Sequence, residues 1–132
     1  RTMQVLLPDG WAPPIGYANG IAVAPGRIVF IAGQVGWDAR QQFASKQIVP
    51  QFDQALRNVL AVLAKAGGAP GHICRITAYC CDKQAYLAAR PELGAVWRTH
   101  MGAHYPAMSL LFVSDLLDQP GCIELEATAV VP

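Results

Sequence analysis

Arg27-Ile28-Val29-Phe30-Ile31-Ala32-Gly33-Gln34-Val35-Gly36-Trp37-Asp38 decides how this chain is read. Ile28 to Ala32 is an unbroken apolar run, rich in β-branched and aromatic side chains. A run this short, closed by glycine, predicts a strand buried on both faces. It stops at Gly33-Gln34, with Gly36 two residues on. Glycine at a strand end marks close backbone approach. Gln34 and Trp37 follow, an amide and a flat aromatic. The stretch is therefore expected to be the central rib of the core, its glycine end opening on a ligand cleft. The plainer reading is a core strand followed by a tight turn.

Around this strand the chain divides into short elements. Arg1 to Gly16 contains Pro8, Asp9-Gly10 and Pro13-Pro14 and reads as an irregular surface arm. Ile21 to Val23 is a short strand. The Pro25-Gly26 turn makes it and the 28–32 run a hairpin. Pro50 opens a helix over about 50–66, with Asp53 expected in its first turn. Phe52, Leu56, Val59, Leu63 and Ala66 form its apolar stripe, and Gly67-Gly68 its stop. Residues 74–81 alternate as a half-buried strand, Cys74, Ile76, Ala78 and Cys80 sharing one face. The connection through the helix is a crossover, expected to be right-handed. A short helical turn reaches Ala89, then a helix starts near Pro91 with Leu93, Val96, Trp97 and Met101 on its stripe. Met108 to Val113 is a strand. Ile123 to Val131 is another, with Glu124 and Glu126 on its polar side. The order is β-β-α-β-α-β-β, an α+β two-layer sandwich with a mixed sheet and two helices on one face.

Composition narrows the function. The chain has 132 residues, 53% apolar and 14% charged, against a typical ~25% charged. That suits one domain spanning 1–132. So few charges leave apolar patches, which implies a homo-oligomer. A net charge of +1 gives no electrostatic case for nucleic acid. No apolar run approaches a membrane span, and nothing at the N-terminus resembles a signal peptide. Cys74, Cys80, Cys81 and Cys122 form no C-x-x-C pair and read as reduced thiols of a cytoplasmic protein.

Few residues carry chemistry by spacing alone. Glu124 and Glu126 project to one side of the last strand, where a carboxylate beside an apolar pocket can orient or activate water. Solvent-facing edge carboxylates are the simpler alternative. His100 and His104 have metal-pair spacing, but Gly102 divides them and no third ligand is near in sequence, so they read as solvated helix-end histidines. Ser109 and Ser114 lack a nucleophile motif, and Gly33-x-x-Gly36 lacks the rest of a phosphate or dinucleotide fingerprint. Trp37, Trp97, Tyr79 and Tyr105 read as core or interface rings that could also stack on a planar ligand.

Several segments together resemble the reactive-intermediate deaminase family (RidA, YjgF-like): Gly16-Tyr17-x-x-Gly20, Val29 to Val35, Gln51 to Asn58 (QFDQALRN), Ala66-Gly67, Tyr105-Pro106-Ala107 and Ile123 to Ala129. The likeness runs from about Ile15 to Val131. It implies a chorismate-mutase-like fold, a homotrimer, and small-molecule clefts at the subunit boundaries. It also implies hydrolysis of enamines and imines to keto acids and ammonia, with no cofactor and no metal. Carried over, Glu124 positions the attacking water, Tyr17 closes over the ligand, and Gly33 with its neighbour Gln34 lies against it. Deaminating members have an arginine after Pro-Ala that clamps the substrate carboxylate; here that position is Met108, and a cysteine two residues on is Leu110. The chain thus resembles an arginine-lacking branch. Arg90 falls near a cleft position and could act as a displaced clamp, while Met108 and Trp97 line the pocket apolarly. Two functions follow: a deaminase-type hydrolase, or a non-catalytic trimeric metabolite binder or chaperone-like protein.

Overall fold

The computed structural model describes residues 3–132. Its elements in chain order are β1 (Met3–Leu6), β2 (Gly20–Val23), β3 (Arg27–Val35), α1 (Ile48–Lys65), β4 (Ile73–Cys80), α2 (Lys83–Ala88), α3 (Arg90–Met101), β5 (Ala107–Phe112) and β6 (Ile123–Val131), with a 3₁₀ turn at Pro70–His72. The architecture is an α+β two-layer sandwich. A four-stranded mixed sheet has the order β3-β6-β4-β5, with β4 and β5 parallel and β6 antiparallel to both its neighbours.

The core forms where sheet and helices share apolar faces. In β6 every second residue from Ile123 to Val131 is buried, while Glu124, Glu126 and Thr128 lie on the other side. Phe52, Leu56, Val59 and Leu63 of α1 pack on that buried face, joined by Leu93, Trp97 and Met101 of α3. The helix begins one turn's half earlier than Pro50 suggests, since Ile48 is also buried and Pro50, the third residue, still needs no N–H partner. Asp53 is correspondingly past the first turn. It binds Arg57 Nε at 3.1 Å and His100 Nε2 at 2.6 Å, tying α1 to α3.

Four expectations change. The 28–32 run is not the central rib: β3 is an edge strand, and Ile28 and Phe30 are 61% and 79% exposed. The central places in the sheet go to β6 and β4, each buried on its helix-covered face alone, and half of the apolar character of β3 faces no part of its own chain. The expected hairpin is also absent. β2 pairs with β1 in a separate antiparallel ribbon. Ala18, just before β2, bridges Ala107 at the sheet edge opposite β3, so the chain must cross the strand ends before Arg27. The arm expected to be irregular contributes β1; its residues 1 and 2 lie outside the described residues. Finally, a register shift between Ile73 and Arg75 puts Ile73, not Cys74, in the buried row of β4.

The helix-end histidines are half-buried and partnered instead of freely solvated. His100 meets Asp53, and His104 lies 2.7 Å from the Ile73 carbonyl. No group of metal-ligating side chains occurs among the described residues. All four cysteines are free thiols, and burial pushes the Cys122 thiol up to about 11. No helix among the described residues is long and apolar enough to cross a membrane.

Candidate active site

The glycine end of β3 is where backbone and carboxylate meet. The β3–β6 register shifts between Ile31 and Gln34, so Ala32 and Gly33 form an irregularity in the ladder. A Cβ added at Gly33 would lie 2.0 Å from Oε2 of Glu124. Only the missing side chain lets the carboxylate rest against the strand. Three residues on, a Cβ at Gly36 would lie 2.6 Å from the Gln51 Cα, so β3 also leaves the sheet by sliding directly over α1.

Glu124 and Glu126 share a face but not a situation. The Tyr79 hydroxyl donates a hydrogen bond to Glu126 Oε1, which raises the Tyr79 pKa above its ordinary value. Glu124 accepts no hydrogen bond from any described residue. Burial first, then the charges of Asp118 and Glu126, raise its pKa above the usual carboxylate range. A desolvated carboxylate with free lone pairs is suited to take a proton from water.

An open concavity of about 530 Å³ lies on the helix-covered side of the sheet between β5, α2 and α3, and its walls include Phe52, Trp97, Tyr105 and Met108, with Arg90 among the lining residues. Trp97 and Tyr105 stack with centroids 5.8 Å apart and planes 11° from parallel. The Trp97 indole donates to the His104 carbonyl at 3.1 Å, which fixes the ring. Ile123 and Leu125 line the same cavity. Because side chains alternate along β6, Glu124 between them points to the opposite face.

Five of the seven candidate residues therefore fall into two groups. Met108, Trp97 and Arg90 come together in the cavity; Glu124 and Gly33 come together on the open face. Tyr17 stands beside the first group: the Ala18 N–H donates to the Pro106 carbonyl at 2.9 Å, placing Tyr17 next to the segment that leads into Met108. Gln34 joins neither, its side-chain amide donating back to the Ala32 carbonyl at 3.1 Å.

Two supporting residues escape a reading by spacing. Gln51 is fully buried; its amide nitrogen donates to the Ser45 and Pro120 carbonyls, each at 3.0 Å, and its oxygen accepts the Cys122 N–H at 2.8 Å. Asn58 donates to the Val35 and Trp37 carbonyls at 3.1 and 2.8 Å. Between them they hold the exit of β3 and the entry of β6, the two segments that meet at Glu124. Both are amides one step off the apolar stripe of α1, the available signal.

A sequence model of the family described as Endoribonuclease L-PSP matches residues 11–131. The chain belongs to that family. It is the YjgF/RidA family whose motifs the sequence carries. A RutC family protein of Haemophilus influenzae is 30% identical over 109 residues, 83% of each protein. A 2-iminobutanoate/2-iminopropanoate deaminase of Salmonella typhimurium is 29% identical over 114 residues, 86% of each. The crystal structure of YyfB, a conserved Rid-family protein of unknown function from Yersinia pestis, superimposes with a TM-score of 0.87 at 30% identity, over 99% of this chain and 100% of that one.

The fit at Gly33 gives a direct test. Gly33→Ala forces the Glu124 carboxylate aside, yet the colliding atoms are the far end of a flexible side chain. The expected result is an unfolding midpoint close to that of the parent and a loss of about 100-fold in any Glu124-dependent turnover, the scale for a misplacement of ~1 Å. Circular dichroism melting and steady-state rates check the two halves.

Proposed function

We propose that this chain is an enamine/imine deaminase-type hydrolase acting on a small reactive metabolite. The observation that carries the reading is the Glu124 carboxylate: partly desolvated, raised in pKa, free of hydrogen-bond partners and seated against Gly33. In this reading Glu124 takes a proton from a water as its oxygen attacks the imine carbon. The carbon–nitrogen double bond becomes single as its nitrogen takes up the proton that Glu124 received. Collapse of the resulting carbinolamine expels ammonia and leaves the carbonyl product, with no cofactor required. The deaminase of Salmonella typhimurium among the relatives lends support. The word endoribonuclease in the family description finds none in a net charge of +1.

The assembly proposed is a homotrimer with ligand clefts between subunits, in the cytoplasm, where free thiols suit a reducing medium. Its support is twofold. Exposed Ile28 and Phe30 on the outer strand leave apolar surface to cover. Glu124 and Met108 lie on opposite faces of one sheet, and a neighbouring subunit can bring a copy of one to the other. Phe30→Glu is expected to convert the trimer to monomers with unchanged far-ultraviolet circular dichroism, checked by light scattering during gel filtration.

The reading is tested by ammonia release from a panel of imines generated in situ by an amino-acid oxidase, including uncharged and aromatic imines beside 2-iminobutanoate, with Glu124→Gln as control. Acceleration that vanishes in the control supports it. A flat panel sinks it and favours the second reading, a non-catalytic trimeric metabolite binder or chaperone-like protein. One observation speaks for that second reading: Met108 occupies the place of the clamp arginine, and a thioether cannot hold a carboxylate.

A further inference from the structure

The cavity beside β5 is unlike a pocket for a three- or four-carbon acid. Its 530 Å³ lies in the range of sites that hold much larger ligands. Five aromatic rings line it: Phe52, Tyr86, Trp97, Tyr105 and Phe112. The stacked Trp97–Tyr105 pair, pinned by the indole hydrogen bond, presents a rigid flat wall. Phe112 and Tyr86 meet edge to face on another side, with centroids 5.7 Å apart. Met108 adds polarizable, apolar surface of the kind that accommodates rings.

One charge stands at this apolar space. Among the described residues that line it, Arg90 alone is ionised, and it forms no hydrogen bond or ion pair with any described residue. The other nearby cation, Lys83, sits 5.5 Å over the Phe112 ring. Burial raises the pKa of the Tyr86 phenol and the Arg90 charge lowers it, so the guanidinium stands close to the aromatic lining. An exposed arginine at the first residue of α3 keeps its fork of donors free for a planar anion.

We infer that this cavity binds an aromatic 2-imino or 2-oxo acid, its ring among the aromatic side chains and its carboxylate on Arg90. The carboxylate clamp is then carried by the start of α3 instead of by position 108. A ring packed among the aromatic side chains that line the cavity supplies the apolar contact. The guanidinium supplies a charge-assisted pair. A small imino acid makes the second contact without the first, and a neutral aromatic makes the first without the second. This deepens the deaminase reading and rests on it for chemistry, though not for binding.

Binding is therefore measured first, by calorimetry on the assembled full chain, with three unreactive probes: phenylpyruvate, 2-oxobutanoate and phenylacetone. Phenylpyruvate is expected to bind at least tenfold more tightly than either of the others. In Arg90→Gln its affinity should fall to that of phenylacetone, while phenylacetone itself is unaffected. Equal binding of 2-oxobutanoate and phenylpyruvate, or an Arg90→Gln protein that binds phenylpyruvate like the parent, overturns the inference. Ammonia release from the imine of phenylpyruvate is measured in parallel. Selective binding without acceleration leaves the inference standing and removes the deaminase reading. Acceleration of small imines with no aromatic preference and no effect of Arg90→Gln does the reverse.

Discussion

Glu124→Gln is expected to lower ammonia release by at least about 100-fold, the lower end of what a positioned general base contributes. The substitution is nearly isosteric, so water and ligand keep their space, but an amide cannot accept the proton. Since the Glu124 carboxylate accepts no hydrogen bond from any described residue, no internal bond is lost with it. The stability of the variant should even exceed that of the parent at neutral pH. The folded protein raises the Glu124 pKa, chiefly by burial. A raised carboxylate contributes stability below its unfolded pKa and loses that contribution as pH climbs through its folded pKa. At pH 7 the ionised group is therefore a burden that glutamine removes; at pH 4 the two proteins should melt alike. Melting curves across this interval check the sign. The activity moves the other way: kcat/KM should fall on acidification through the raised pKa, earlier than for an ordinary exposed glutamate. A variant as active as its parent excludes Glu124 as the base.

Gln51→Leu carries the largest expected cost in stability, about 3–5 kcal/mol. Leucine fills a similar volume, so the loss comes from polar groups and not from a void. Three part-buried backbone groups lose their partner: the Cys122 N–H and the carbonyls of Ser45 and Pro120. Each orphaned group costs about 1–3 kcal/mol, and two lone-paired carbonyls fall at the lower end. Against a total of roughly 5–15 kcal/mol for a domain, this is a large fraction. Urea titration measures it. A loss below about 1 kcal/mol would mean that water replaces the amide. Activity should fall as well, because Cys122 leads directly into Glu124.

The elements that were legible in the residues are those whose signal is local. The stripe of α1, the alternation of β6, the break before Pro91 and the carboxylate face of β6 all follow from spacing within one segment. The role of β3 was not legible. Five apolar residues in a row state that both faces want cover, but not whether the cover comes from the chain's own helices or from a neighbour. Phe30 has the same letter in either case. Nor could the 20–23 strand announce a partner at residues 3–6, since short strands pair by whatever the chain brings alongside. Gln51 looks like a surface residue of an amphipathic helix until Pro120 and Cys122, some seventy positions away, are folded onto it. For the site, the segments near Tyr17, Gly33 and Glu124 were visible through family motifs; their division between two sides of a sheet required the register of β6.

That division has a genetic consequence. If each cleft is shared, with Glu124 from one chain and the Met108 side from the next, ownership of activity belongs to pairs of chains and not to single ones. Two inactive alleles, one lacking the carboxylate and the other damaged around Trp97, would then rescue each other when co-expressed. Random mixing in a closed ring leaves on the order of a quarter of the clefts with both halves intact. Neither allele alone would leave any.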